Sequence, residues 1–348
     1  MSGLNGKVTH IAAGDNHSLA IRDGQLFAWG NNYSGQVATS GQRQFNAPEK
    51  LGSRSDWHFI SAQGDLSMGI AGGELWVWGR GTSGQLGIDS HLEKTPPVRV
   101  GTRSDWESVS IGANHALAIA GGKLFSWGFN SHRQLGVARL PNSKTPVQVG
   151  EEDGWTYVSA GIFNSAGIRN GRLYTWGCNF KGSLGTGDRK DRPTPEEVGG
   201  EGWTMVSALA DYSLGIRSGK LFAWGEILGK VKTDRSSRDR GRKPAQVGTR
   251  FDWSSICIKR DRVLGLANGC LFSWDQDFPL AVEGQLTPQQ GGSFRSSERF
   301  DWEKVSLGSH HLLAVRDGTL FSCGENHHGQ LGFTPRVNSL ALAPISFR

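Results

Sequence analysis

Short apolar runs separated by glycine recur along the chain at a nearly constant spacing. In the clearest copy Asp105-Trp106-Glu107-Ser108-Val109-Ser110 alternates polar and apolar positions and His115-Ala116-Leu117-Ala118-Ile119 is almost wholly apolar. Leu124-Phe125-Ser126-Trp127-Gly128 and Pro146-Val147-Gln148-Val149-Gly150 complete it. Runs of this length and character, bounded by turn residues, predict four strands per copy. Between the second and third runs stand Asp23-Gly24, Gly72-Gly73, Gly121-Gly122, Asn170-Gly171, Ser218-Gly219, Asn268-Gly269 and Asp317-Gly318. Such dipeptides tolerate the positive φ angles of a two-residue type I′ turn, whose twist matches the strands it joins. The same pairs would interrupt any helix laid through them.

Tryptophan marks each copy twice. The first mark is Trp57, Trp106, Trp155, Trp203, Trp253 and Trp302, with Val8 in the first copy; the second is Trp29, Trp78, Trp127, Trp176, Trp224 and Trp274, then Cys323. The steps stay between 48 and 50 residues, so there are seven copies. Seven four-stranded antiparallel units predict an all-β, closed seven-bladed propeller, the architecture that lets one domain reach this length. The whole chain, 1–348, is expected to form that single domain, with residues 225–300 as its irregular sector. The closing segment, Pro344-Ile345-Ser346-Phe347, resembles the fourth strand of a copy. It is expected to complete the blade that holds the N-terminus, closing the ring with N- and C-terminal segments.

Composition then removes several classes. With 348 residues, 36% hydrophobic and 20% charged, the chain is neither disordered nor a disulfide-stapled miniprotein. Cys178, Cys257, Cys270 and Cys323 form no CxxC pair and are expected as reduced structural thiols. No run resembles a secretory leader or a membrane helix, so the expectation is a soluble, cytoplasmic or virion-associated protein without a membrane partner. The net charge of +6 is concentrated in one stretch, where Lys230, Lys232, Arg235, Arg238, Arg240, Arg242 and Lys243 face only Asp234 and Asp239. The interleaved acids and Ser236-Ser237 favour a solvated loop; as a binding edge it would take an acidic protein surface ahead of nucleic acid.

No GxSxG, HExxH, Walker, GxGxxG or EF-hand pattern occurs, so the chain is not expected to be an enzyme or to hold a cofactor or metal. One repeat position, nine residues after the first mark, holds His17, Leu66, His115, Asn164, Tyr212, Arg262 and His311. Five residue types in seven copies suggest a ring on one face that recognises a partner, with Tyr212 and Arg262 as preferred anchors. For the three histidines, hydrogen bonding to neighbouring loops is favoured over a metal across the channel.

Gly112-x-x-His115-x-Leu117-Ala118-Ile119, Leu124-Phe125-Ser126-Trp127-Gly128, Gly84-Gln85-Leu86-Gly87 and Thr145-Pro146-Val147 together resemble the repeat of the regulator of chromosome condensation superfamily, over residues 8–347. The short, uniform copies look more like bacterial or viral members than like the eukaryotic exchange factor. The resemblance implies a disc that binds another protein by its loops, as an interaction or structural module. It also implies an alternative, guanine nucleotide exchange on a small GTPase, for which Asp15, Asp65, Asp211 and Asp261 stand at or near the corresponding loops. A third reading is a virion or appendage adaptor. Photoreception is disfavoured, because Gly154-Trp155-Thr156-Tyr157 and Gly202-Trp203-Thr204-Met205 lack the Arg and His that follow Trp in the plant photoreceptors of that superfamily.

Overall fold

The computed structural model describes residues 6–39, 42–89, 95–226, 241–260, 262–273, 295–296 and 301–347. Among these, every regular element is a strand, and the strands form seven four-stranded antiparallel sheets, each built in sequence order. The first blade runs Val8–Ala13, His17–Arg22, Gln25–Asn31 and Gln44–Lys50. The first strand of each blade lines the centre and the fourth is outermost. The chain therefore has a loop face, where first and second strands meet, and a hairpin face, where second and third strands meet.

On the hairpin face the glycine dipeptides do what their sequence requires. Asp23 and Gly24 have φ of 50° and 71°, and Asn170 and Gly171 of 49° and 73°. The second residue has a further constraint, because a Cβ at Gly24, Gly73 or Gly219 would lie 2.1 Å from a carbonyl oxygen of the next blade. That close approach lets each turn carbonyl receive the N–H that opens the following blade. Trp57, Trp106, Trp155, Trp203, Trp253 and Trp302 donate to Gly24, Gly73, Gly122, Gly171, Gly219 and Gly269, and Val8 donates to Gly318.

Both tryptophan marks are core. Trp106 and Trp127 are 3% and 0% exposed, with ring centroids 6.2 Å apart at 64°. The same edge-on pair recurs as Trp57 with Trp78, Trp155 with Trp176 and Trp203 with Trp224. The second-mark indoles donate across the seams: Trp78 Nε1 to Gln36 O, Trp127 to Gln85 O, Trp176 to Gln134 O, Trp224 to Ser183 O, and Trp29 to Gln330 O. Trp274 lies outside the described residues.

The C-terminal strand does not complete the blade that holds the N-terminus. Ser339–Pro344 pairs with Thr319–Gly324 inside the seventh blade, and the first blade is completed by its own Gln44–Lys50. Each copy supplies all four strands of one sheet, so no strand needs to be exchanged. The first and seventh blades meet face to face instead, through Val8 N–H to Gly318 O, Trp29 Nε1 to Gln330 O, and Ile345 packed in the first-blade core. Among the described residues the fourth strands of the fifth and sixth blades are Ala245–Gln246 and Arg295–Ser296.

Candidate functional site

The position expected to form an open recognition ring opens the second strand of each blade, and most of it is inside. His17, His115 and His311 are 0% exposed, and Leu66, Asn164 and Tyr212 are buried as well. Only Arg262 is half-buried. The expectation of an exposed, chemically varied ring is thus corrected: the chain reaches the loop face one residue earlier, and this residue already points into the seam.

The histidines share one arrangement. His17 Nε2 lies 2.8 Å from Ser67 Oγ, His115 Nε2 2.8 Å from Ser165 Oγ and His311 Nε2 2.9 Å from Ser18 Oγ, each serine belonging to the next blade. Those serines give their own protons to Gln36 O, Gln134 O and Gln330 O. A hydroxyl that has donated its proton can only accept, so Nε2 carries the imidazole hydrogen and Nδ1 is bare. Burial lowers all three imidazoles to about 3, which keeps them neutral. Glycine three residues earlier makes room, since a Cβ at Gly14, Gly112 or Gly308 would collide with the ring. Asn164 substitutes differently, donating to Ser183 Oγ and Leu209 O. The histidine bonds are seam hydrogen bonds to strand serines, where the sequence favoured neighbouring loops.

Three copies lack that glycine, holding Gln63, Leu209 and Lys259 instead, and two of the replacements meet. Lys259 of the sixth blade donates from Nζ to Gln63 Oε1 of the second blade at 2.6 Å and sits 3.3 Å from Asp15 Oδ1 of the first. The lysine therefore crosses the loop-face mouth of the channel. Burial pushes its ammonium below the usual lysine range against the pull of Asp15. Burial alone would raise the Asp15 carboxyl, but Lys259 beside it holds it below its ordinary value. Neither Lys259 nor Gln63 stood out in the sequence; the available signal was the missing glycine at one repeat position.

The outward residues of the loop face differ from blade to blade. Preceding the buried position are Asn16, Asp65, Asn114, Phe163, Asp211 and His310, none of them buried. Aromatic groups gather over the third and fourth blades, where the His132 ring is 4.6 Å from Phe163 and 6.2 Å from Phe129. Phe180 beside them is 68% exposed with Lys181 Nζ 5.3 Å from its ring centre. The fifth blade adds acid, with Asp211 exposed and Glu226 paired to Lys181.

The acids singled out for exchange chemistry have separate surroundings: Asp15 is engaged by Lys259, Asp65 accepts from Ser34 and Gln36, and Asp261 lies outside the described residues. Lys230, Lys232, Arg235, Arg238 and Arg240 of the basic run also lie outside them. Arg242 and Lys243 pack on the outer edge against Gly182 and Gly187 of the fourth blade. No described helix is long and apolar enough to cross a membrane.

A disc of seven such blades, locked by histidine, serine and tryptophan seams, defines a repeat propeller. The regulator of chromosome condensation (RCC1) repeat matches residues 72–119, 121–168 and 170–216, and a second form of that repeat matches 8–36. The chain thus carries copies of this repeat over those residues. Among solved structures it resembles human WBSCR16 at TM-score 0.78 and 19% identity, covering 93% of this chain and 95% of that one. It also resembles yeast RCC1 (Prp20) in its complex with Kap60, at TM-score 0.74 and 15% identity over 99% of this chain and 84% of that one. Prp20p from Saccharomyces cerevisiae alone gives 0.72 and 16%, covering 99% and 87%. No curated protein is a significant match.

Proposed function

We propose that this chain is a non-enzymatic propeller that binds another protein across its loop face, with the aromatic sector of the third and fourth blades at the centre of the contact. The carrying observation is the contrast between fixed seams and a varied loop face on which the half-buried Phe129, His132 and Phe163 cluster and Phe180 stands exposed. Aromatic side chains held out on a rigid scaffold are the residues that dominate interface energetics. The likeness to Prp20, which binds Kap60 in one of the structures, supports a protein partner in kind and leaves its identity open.

A photo-crosslinking residue at position 180 should capture the partner in cells, whereas the same residue at position 171 on the hairpin face should not. Phe163→Ser should then weaken the purified complex by about 2 kcal/mol with an unchanged melting temperature. Capture from the hairpin face alone, or loss of binding only when Arg242 and Lys243 are replaced, would move the site to another surface. Accelerated nucleotide release from a small GTPase, assayed with the same protein, would assign the exchange reading.

A further inference from the structure

The central channel has a chemistry that the seams do not use up. Its walls come from the first strands of all seven blades and enclose about 350 Å³. Serine recurs four residues after the first tryptophan mark, as Ser61, Ser110, Ser159, Ser207 and Ser306, and all five line the cavity. Four of these oxygens already accept a backbone N–H from the next blade: Ser110 from Ala160, Ser159 from Ala208, Ser207 from Ile258 and Ser306 from Ala13. Their hydroxyl protons have no protein acceptor among the described residues. The channel therefore carries a belt of hydrogen-bond donors.

Charge selects what can answer those donors. No Asp or Glu lines the cavity. At the loop-face mouth the ammonium of Lys259 is matched by Asp15. At the hairpin-face mouth Lys304 is half-buried and paired with no carboxylate among the described residues. His10 on the adjoining first strand is near enough to Lys304 that burial, and then that positive charge, lower its pKa. A cation would meet an unpaired lysine at the entrance and no carboxylate on the walls. An anion would meet both favourably.

We propose that the channel is a binding site for a small oxyanion of the phosphate or sulfate type, held by the serine belt and drawn in past Lys304 at the hairpin face. The site is independent of the loop-face reading and is entered from the opposite mouth.

The test is calorimetric titration of the full chain with inorganic phosphate at low salt. The expected affinity is about 1 mM or tighter, with Lys304→Gln weakening it about tenfold and Lys304→Arg keeping it. Ser159→Cys separates the belt from the mouth. It leaves a sulfur to accept the Ala208 N–H, as Cys257 does for Leu307 in the sixth blade, but removes the strong donor. It should weaken binding about threefold or more with the melting temperature of the free protein preserved. Lys243→Gln on the outer edge should leave the titration unchanged. Absence of phosphate binding overturns the proposal, as does binding indifferent to Lys304→Gln. Sensitivity to Lys304→Gln with none to Ser159→Cys also overturns it, because the anion then rests on the mouth and not in the channel.

Discussion

At His17, His115 and His311 the imidazole Nε2–H is committed to a serine of the next blade and Nδ1 is bare, so protonation would bury a charge with no acceptor beside it. Unfolded, these groups titrate at 6.5; folded, at about 3. Below pH 6.5 the unfolded chain therefore binds more protons than the native one, and stability falls as pH falls. At pH 5 the loss is about 2 kcal/mol for each histidine, in a range where ordinary carboxylates are still ionised. Thermal unfolding between pH 7 and 5 should show this decline, and His115→Asn should flatten it by one residue's share because asparagine serves the equivalent position at Asn164. A melting temperature constant across that interval would contradict neutral burial. The sequence favoured hydrogen bonding to neighbouring loops for these histidines, and the bonds found go instead to strand serines of the next blade. It misplaced the ring to which they belong, because variation at one repeat position looks the same whether a side chain is solvated or each seam solves its packing separately.

At the scale of the element, the hairpin glycines and the tryptophan marks were legible because each serves a contact that recurs from blade to blade. Gly73 combines φ of +75° with a Cβ position 2.1 Å from Ser104 O, whereas Gly52 has φ of +65° and open space around it. Gly52→Ala should therefore cost only the left-handed backbone penalty, about 1 to 2 kcal/mol. Gly73→Ala adds a collision with backbone that cannot swing away and should cost at least about 3 kcal/mol in urea unfolding. Equal losses would mean that the turn, not the blade contact, sets the requirement. Trp106→Ala removes a ring packed between Phe125 and Trp127 and should cost about 3 to 5 kcal/mol; a loss below about 1 kcal/mol would be incompatible with its burial. Lys259 and Gln63 escaped the sequence reading for the opposite reason. Gln63, Leu209 and Lys259 all depart from glycine at one repeat position, and only the ring brings the second and sixth blades to the same mouth.

For the whole molecule, repetition along the chain determines the unit but not where the ring is cut. A proline followed three residues later by Leu or Val ends the first five copies, so the final Pro344-Ile345 run could equally have joined the first blade or the seventh; strand pairing places it in the seventh. The first-to-seventh seam carries the same kinds of tryptophan, serine and turn bonds as the seams between the first and second and the third and fourth blades. Both described ends of the chain lie against Arg22, whose Nε donates to Gly6 O at 3.1 Å and whose guanidinium is 5.1 Å from the Phe347 ring centre. A permutant that joins these ends by a short linker and opens between Gly101 and Thr102 keeps every sheet whole, because the cut falls between the second and third blades. It should melt within about 5 °C of the parent and elute identically. Opening instead between Gly72 and Gly73 severs the hairpin of the second blade and should abolish cooperative melting. If the hairpin cut were tolerated and the cut between blades were not, the blade would not be the folding unit, and the contiguous-sheet architecture would no longer account for how the ring is held closed.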